Sequence, residues 1–237
     1  PIKKAIPFFL PTDNKPYTQA IAMKYGWVWK IPLQHRYGAG YIFDSDYITE
    51  EEAFNEAKEM FPEIEYTRTI KFDAGRYEQT WVKNCLAVGL SSGFTEPLEA
   101  TSIWMATEQL RTLETFVDIM FTNDEDTKQE YNKLIANNND IVMEFLHFHY
   151  MTKRNDSPFW KEFRKKNYLP EFQYKLEQIK KGNVRWYHTT KNDITSTFNL
   201  MSWLHVGEGL GLIGDMNITG YENLIPSVEE YGRNLPR

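Results

Sequence analysis

The sequence has a single cysteine, Cys85, and no apolar run that approaches the length of a membrane-spanning helix. One thiol excludes a disulfide framework and a cysteine-rich zinc site. Because Cys85 lies in a short apolar run, we expect it to be a buried small hydrophobic residue. The chain also lacks a basic leader followed by an apolar stretch, so we expect a cytoplasmic protein with no membrane partner.

The chain also lacks an excess of positive charge. Lys and Arg number 27 against 33 Asp and Glu, which gives a formal net charge of −6. A nucleic-acid surface needs clustered positive charge, so we expect no nucleic-acid partner. Hydrophobic residues, in contrast, make up 41% and aromatic residues 15% of the 237 positions. That composition favours a folded chain with a sizeable core, in one large domain or two modest ones.

The most informative pattern lies in residues 84–102, which read NCLAVGLSSGFTEPLEATS. A short apolar run leads into the small residues 89–93, and Pro97 then precedes a helical pattern of apolar residues. The pattern predicts a strand, a tight glycine loop and a long helix from Pro97 to about Phe121.

The start of this helix is a candidate functional site. Thr95 or Glu96 is placed to serve the helix N-terminus, and Glu99 falls in the first turn, where negative charge is favoured. Free backbone N–H groups at such a junction bind anions. A carboxylate beside an anion site suggests chemistry at Glu99. The alternative is an ordinary strand–helix turn with a solvated glutamate.

The first half of the chain has the signals of strands. Residues 1–18 read as an extended, proline-marked lead-in from something upstream, and residues 19–47 read as antiparallel hairpins. Within the hairpins, Trp27, Trp29 and Ile31 alternate on one face of a strand.

The second half has the signals of helices. Thr49 with Glu52 forms a capping box for an early helix, and after about residue 122 the pattern is mostly helical. The later helices are predicted at residues 128–150 (one helix, or two broken near 137–139), from Ser157, at 171–180 and at 198–206. We therefore expect an α+β fold in two parts, residues 1–121 and residues 122–237.

Two patterns that suggest cofactor or metal sites are explained better by structure. Residues 209–214 spell G-x-G-x-x-G, but no βαβ unit surrounds them, so we interpret them as a turn rather than a dinucleotide loop. His147 and His149 are two residues apart, a spacing that points their side chains in different directions on a helix. We therefore predict no metal site.

Several strings resemble the signatures of the flavin-dependent (tryptophan) halogenases. They are WVWKIP at 27–32, GRYEQTWVKNC at 75–85, GLSSGFTEPLEATS at 89–102, HFHYMTKRNDSPFW at 147–160 and GEGLGL at 207–212. The resemblance covers nearly the whole chain and corresponds to the C-terminal portion of such an enzyme.

The resemblance implies a fold and a reaction. The fold would be the C-terminal part of a flavin monooxygenase-like fold, with antiparallel strands and a long helix, followed by a helical substrate module. Reduced FAD, oxygen and a halide ion would give hypohalous acid, which halogenates an electron-rich aromatic such as tryptophan or another indole. The resemblance also implies a separate flavin reductase as partner, and it leaves a homo-oligomer open.

The resemblance assigns roles to particular residues. Glu99 corresponds to the catalytic glutamate, which faces the substrate carbon that is attacked. Ala100 departs from the serine of many members, which has been proposed to link the flavin and substrate sites. The remaining assignments are Gly89, Leu90, Ser91, Trp27 and Trp29 beside the cofactor, Thr101 and Ser102 at the halide, and Phe198 and Trp203 at the substrate.

Two features of the family are missing from this sequence. The glycine fingerprint that binds FAD and the catalytic lysine both precede the W-x-W-x-I-P strand, and neither stands here, so the chain by itself is expected to be inactive. One alternative is a hydroxylating flavin monooxygenase, against which Trp27 and Trp29 argue. The other is a truncated, non-catalytic fragment that binds a partner or an aromatic ligand, which the start at Pro1 favours.

Overall fold

The computed structural model describes residues 2–13, 15–117, 121, 124–165, 172–183 and 198–213. The strands are β1 (Lys4–Leu10), β2 (Gln19–Ala22), β3 (Gly26–Pro32), β4 (Tyr37–Phe43), β5 (Ile70–Lys71), β6 (Gly75–Arg76), β7 (Trp81–Val82), β8 (Cys85–Leu86) and β9 (Gly93–Phe94). The helices are α1 (Glu50–Met60), α2 (Ser102–Glu114), α3 (Glu125–His149), α4 (Pro158–Phe163), α5 (Phe172–Lys180) and α6 (Leu200–Gly209). This mixture of helices and antiparallel strands confirms the α+β class.

A five-stranded antiparallel sheet, in the order β2-β3-β4-β1-β5, forms the first layer. The predicted hairpins are present, and Trp27, Trp29 and Ile31 share one face of β3, opposite Ile42, Gly40 and Gly38 of β4. One edge of the sheet is therefore built by the strand that carries the two tryptophans and its short neighbour β2.

The interpretation of residues 1–18 as a lead-in is wrong for β1. This strand pairs with β4 along its whole length, from Lys4 opposite Phe43 to Leu10 opposite Tyr37. Pro7, which suggested an extended tail, is tolerated because β5 pairs only with Lys4 and Ala5. Its missing N–H therefore lies where no strand needs a donor.

Side chains on both faces of the sheet pack against other elements. On one face Ile6, Phe8, Val28 and Tyr41 form a core that also contains Ala53 and Ala57 of α1. The capping box that starts α1 is present as predicted, since Thr49 and Glu52 exchange side-chain and backbone hydrogen bonds.

The opposite face packs against residues from the C-terminal half of the chain. Trp27 and Ile42 share a cluster with Tyr150 and with Phe159, Trp160 and Phe163 of α4. The Trp160 indole N–H also donates to the backbone oxygen of Met23 at 2.8 Å. Residues on both sides of position 122 therefore contribute to one continuous packing layer.

Helix α3 runs without interruption from Glu125 to His149, so the one-helix alternative holds. Its buried Asn132 binds the β7–β8 hairpin through three hydrogen bonds. Asn132 Oδ1 accepts from the backbone N–H groups of Thr80 and Trp81, both at 2.8 Å, and Asn132 Nδ2 donates to the backbone oxygen of Trp81 at 2.9 Å. Cys85 lies in that hairpin and is exposed, which corrects the expectation that it is buried.

A further hydrophobic cluster lies among the later helices. Phe145 and Phe148 of α3 pack with Phe172 and Ile179 of α5 and with Trp203 of α6. The predicted helix start at Ser157 is present, and α5 begins by Phe172, the first described residue after the gap that includes position 171. Helix α6 ends at Gly209, and a turn follows at Leu210 and Gly211; the last glycine of the G-x-G-x-x-G string, Gly214, lies outside the described residues. Within the described ranges, no helix is both long enough and apolar enough to cross a bilayer.

Candidate functional site

The loop before α2 departs from the predicted helix start. Residues Leu98–Ala100 form a single 3-10 turn, and α2 begins only at Ser102. Glu99 and Ala100 have φ angles of 66° and 50°, in the left-handed region that residues with a Cβ avoid. Each such residue costs about 1–2 kcal/mol, and strain of this kind concentrates at functional sites. Glu99 therefore stands on a strained turn, not in the first turn of a helix.

Glu99 lines a cavity of about 780 Å³, which we name the acid cavity. Its volume suits a small aromatic ligand. The Glu99 side chain is 37% exposed, so it is neither buried in packing nor fully solvated. The other residues that line the acid cavity are Thr18, Gln19, Ala20, Trp27, Trp29, Ile31, Pro97, Leu98, Ala100, Ser102 and Ile103.

The two tryptophans of β3 form one wall of the acid cavity. The indole N–H of Trp27 donates to the hydroxyl oxygen of Tyr150 at 3.1 Å. The ring of Trp29 lies over Gly40, where a Cβ would approach it to 2.1 Å, so only glycine leaves room for the ring. These contacts fix both rings on the cavity that contains Glu99.

Glu96 is a buried acid that the sequence pattern assigned to the helix start. Its Oε1 accepts a hydrogen bond from the Tyr150 hydroxyl, with 2.6 Å between the two oxygens, and only 7% of the residue is exposed. Burial raises the pKa of Glu96 to about 7, although the hydrogen bond from Tyr150 acts in the opposite direction. Glu96, Tyr150 and Trp27 thus form one buried hydrogen-bonded chain behind the acid cavity.

A second cavity, of about 480 Å³, lies on the other side of the α2 start, and we name it the glycine cavity. Gly89 and Leu90 line it, whereas Ser91 does not and instead donates its hydroxyl to the oxygen of Val88. Ser102 and Ile103 line both cavities. Gly89 and Leu90 thus line one cavity and Trp27 and Trp29 the adjoining one, and their grouping at one cofactor stays a prediction.

Gln109 of α2 holds the glycine loop in place. Its Oε1 accepts from the backbone N–H of Gly89 and its Nε2 donates to Ser92 Oγ, both at 2.8 Å. Leu90 and Ile103 remain 74% and 82% exposed at the rim of the glycine cavity. Large apolar side chains this exposed, beside a cavity, indicate a surface for a ligand or a neighbouring chain segment.

The predicted halide residues sit at the N-terminus of α2. Thr101 is the N-cap residue and is buried, and its hydroxyl lies 3.2 Å from that of Thr95. The first amides of a helix have no acceptor within the helix, so those of Thr101 and Ser102 are suited to an anion. Ser102 gives this helix end access to both cavities.

Phe198 and Trp203, predicted to contact substrate, are core residues in the structure. Trp203 has no exposed surface, and Phe198 is 7% exposed and stacks on Phe145 with ring centroids 3.9 Å apart. Neither ring lines the acid cavity. Both rings pack in the core of the helical region and lie outside this cavity, so their contact with substrate stays a prediction.

His149, the last residue of α3, contacts Glu99, and the sequence analysis did not predict this contact. Its Nε2 lies 2.9 Å from Glu99 Oε1, and its Nδ1 lies 2.9 Å from the backbone oxygen of Phe145. His147 points away, toward the rings of Phe163 and Phe172, as the helical spacing indicates. Among the described residues, no three His, Cys, Asp or Glu side chains cluster as metal ligands would.

The chain matches known proteins along most of its length. The profile of the family described as tryptophan halogenase matches residues 1–221. Tryptophan 7-halogenase RebH of Lentzea aerocolonigenes is 33% identical over 215 residues, which cover 85% of this chain and 40% of that protein. Tryptophan 6-halogenase SttH of Streptomyces toxytricini is 38% identical over 171 residues, or 68% of this chain and 32% of that protein.

Solved structures show the same likeness. The crystal structure of SttH aligns with all of this chain and 50% of its own, with a TM-score of 0.78 and 29% identity. The flavin-dependent halogenase BrvH from Brevundimonas sp. BAL3 gives a TM-score of 0.79 at 28% identity, over 99% of this chain and 49% of its own. The chain thus spans half or less of the length of each of these proteins.

Proposed function

The chain belongs to the tryptophan halogenase family, and we propose that it supplies the substrate side of a flavin-dependent halogenase. The substrate is an electron-rich aromatic such as tryptophan or another indole. Since the chain spans half or less of its relatives' length, halogenation requires the flavin-binding portion as well. The chain alone is inactive in this proposal.

One observation carries the proposal: Glu99 stands on a strained turn and opens into a cavity walled by two fixed indole rings. A flat aromatic substrate fits against Trp27 and Trp29 by ring packing. The carboxylate of Glu99 then lies in the same space as the ring that is to be attacked. A solvated glutamate in an ordinary turn would need neither the strain nor the cavity.

Glu99 has two tasks in the substitution. As the new carbon–halogen bond forms and the O–X bond of hypohalous acid breaks, positive charge builds on the ring, and the carboxylate stabilises it. Glu99 then accepts the proton from the substituted carbon and gives it up to the displaced hydroxide, which leaves as water. The amides of Thr101 and Ser102 hold the halide at the helix end, next to both cavities.

The residues of the glycine cavity fit part of a flavin. Gly89 and the exposed Leu90 present backbone and an apolar side chain, which suit one edge of a flat ring, and Ser102 connects this cavity to the acid cavity. Bound FAD, when reduced and supplied with oxygen, provides the oxidising power that converts halide to hypohalous acid. Trp27 and Trp29 keep the organic substrate on the acid side of that connection.

The wider assignments follow from the same proposal. They are a flavin monooxygenase-like fold for the complete enzyme, a division of this chain into a core part (1–121) and a helical substrate part (122–237), a cytoplasmic location and a separate flavin reductase, and they leave a homo-oligomer open. The shared cluster of Trp27 with Tyr150 and α4 supports a substrate site at the junction of the two parts.

The test is Glu99→Gln in the complete enzyme, meaning this chain joined to the sequence that supplies its flavin-binding portion. With a flavin reductase, halide and L-tryptophan or indole, we expect the rate of halogenated product to fall by about 10²- to 10⁴-fold, the usual contribution of a general base. Mass spectrometry of the product identifies halogen rather than hydroxyl.

The matched control is Glu65→Gln, because Glu65 is exposed and lies outside both cavities. It should leave the rate unchanged. Undiminished halogenation by the Glu99→Gln enzyme would contradict the proposal, and a hydroxylated product from the unaltered enzyme would replace it with the monooxygenase alternative.

A further inference from the structure

We propose that His149 is a positioning residue for Glu99, which it holds by a charge-assisted hydrogen bond from Nε2–H to Oε1. The inference rests on the role of Glu99 in the proposed function. The two atoms lie 2.9 Å apart, and they join the last turn of α3 to the strained loop before α2.

The proton on the histidine follows from its two contacts. A backbone carbonyl only accepts, so Nδ1, at 2.9 Å from the oxygen of Phe145, carries a proton and donates it. A neutral ring would then present a lone pair at Nε2 to a carboxylate oxygen, which repels it. A contact of 2.9 Å therefore requires a proton between Nε2 and Glu99 Oε1.

The position of His149 favours both contacts. It is the C-terminal residue of the 25-residue helix α3, where a ring N–H can reach the oxygen of Phe145 one turn earlier. The other ring nitrogen then faces the loop before α2, where it meets Glu99 Oε1.

Packing fixes the ring in place. Phe145 meets the imidazole edge to face, with centroids 4.9 Å apart and planes at 89°. Phe145 is itself held by Phe198, which stacks on its ring. The His149 side chain is only 18% exposed. A donor held this way does not have to be ordered at the moment of reaction.

The consequence concerns the other oxygen of Glu99. Oε1 is engaged by His149, while within the described residues no hydrogen bond forms at Oε2, and Glu99 lines the acid cavity. His149 therefore selects Oε2 as the oxygen that meets the substrate ring. The hydrogen bond from His149 also restricts the rotation of the Glu99 side chain, which stands on an exposed turn.

The kinetic test compares two substitutions in the complete enzyme. His149→Leu removes the donor, and we expect kcat to fall about ten- to a hundredfold, as the loss of a charge-assisted hydrogen bond implies, with KM for the aromatic substrate unchanged within about twofold. His149→Gln places an amide N–H near the position of Nε2, so it should restore most of kcat. The exposed His35→Gln is the control and should behave like the unaltered enzyme.

The structural test follows the ring nitrogens of the five histidines in the 237-residue chain by NMR, with His149→Gln identifying the signals of His149. We expect a protonated Nδ1 in His149 and an Nε2 signal that shifts when Glu99 is replaced by Gln. Unchanged His149 signals in the Glu99→Gln chain would overturn the inference, whether or not the complete enzyme halogenates. Full kcat in His149→Leu would overturn it as well. Full activity of Glu99→Gln, with the NMR coupling present, would instead contradict the proposed function.

Discussion

The five-stranded sheet and the loop at residues 96–102 meet at the acid cavity, and they satisfy their buried groups in different ways. In the sheet, paired backbone and an apolar core surround the few polar side chains, and the hydroxyl of buried Tyr41 donates to Glu56 at 2.9 Å. The loop instead contains a buried acid at Glu96 and two left-handed residues, Glu99 and Ala100.

The two regions therefore contribute to the free energy of folding in opposite directions. The sheet has the features that lower the free energy of the folded chain: burial, pairing and ordinary backbone angles. The loop has features that raise it, and they surround the one carboxylate that opens into the cavity. Substitutions that remove these features should therefore lower the free energy of unfolding in the sheet and raise it in the loop.

Substitution in the sheet should have the largest effect on stability. Ile6 of β1 has no exposed surface, and Ile6→Ala should lower the free energy of unfolding by about 2–5 kcal/mol because it removes buried methylene groups and leaves a cavity. Urea unfolding followed by circular dichroism measures the change. Phe9→Ala, on the other face of the same strand and 58% exposed, is the control and should cost less than about 1 kcal/mol. Equal losses at the two positions would mean that β1 is not a core strand.

Glu96→Gln should instead raise the free energy of unfolding, and it should do so only at higher pH. A carboxyl whose pKa is raised on folding adds stability that is present below its ordinary value of 4.5 and is lost as the pH rises through about 7. Gln stays neutral and can still accept from Tyr150. We therefore expect the variant to match the unaltered chain near about pH 4.5 and to be more stable by up to about 3 kcal/mol at about pH 8.

Urea unfolding at both pH values measures this difference, and Glu65→Gln is its control because that side chain is exposed. The stability gap between Glu65→Gln and the unaltered chain should not change with pH. A pH-independent gap for Glu96→Gln would show that the Glu96 carboxyl is hydrated and not buried behind Trp27.

Ala100→Gly should give the smallest effect and again a gain. Glycine adopts a φ of 50° without strain, which outweighs its greater freedom in the unfolded chain, so we expect about 0.5–1 kcal/mol of added stability. In calorimetry that corresponds to a rise in Tm of roughly 1–4 °C. Ala106→Gly, inside α2, should have the opposite sign because glycine weakens a regular helix. A loss of stability in both variants would argue against strain at Ala100.

The comparison also explains which predictions from sequence were right. Signals that act within one turn or one strand were right: the capping box at Thr49, the Ser157-Pro158 helix start and the alternation of Trp27 with Trp29. In β1, the alternating Ile6, Phe8 and Leu10 were a usable signal. Pro7 outweighed them because nothing in the sequence says that the sheet ends beside it.

The helix start was mispredicted for a physical reason. Pro97 does favour a first helical turn, and a single turn does form over Leu98–Ala100. It cannot continue into α2, because Glu99 and Ala100 are left-handed. Tertiary contacts, among them the hydrogen bonds to Glu96 and Glu99 from the end of α3, accompany that conformation, and no local propensity of Glu or Ala indicates it.

The sequence by itself determined the α+β class, the alternating wall of tryptophans, the helix caps and the family motifs, because each of these depends on neighbours along one element. Only the tertiary structure decided that His149 meets Glu99 and that Tyr150 meets Glu96, pairs that are 50 and 54 residues apart. It also decided that Trp203 is core and Trp29 is cavity wall. Contacts of this kind depend on how α3 lies against the sheet and the loop, and a linear pattern does not encode that geometry.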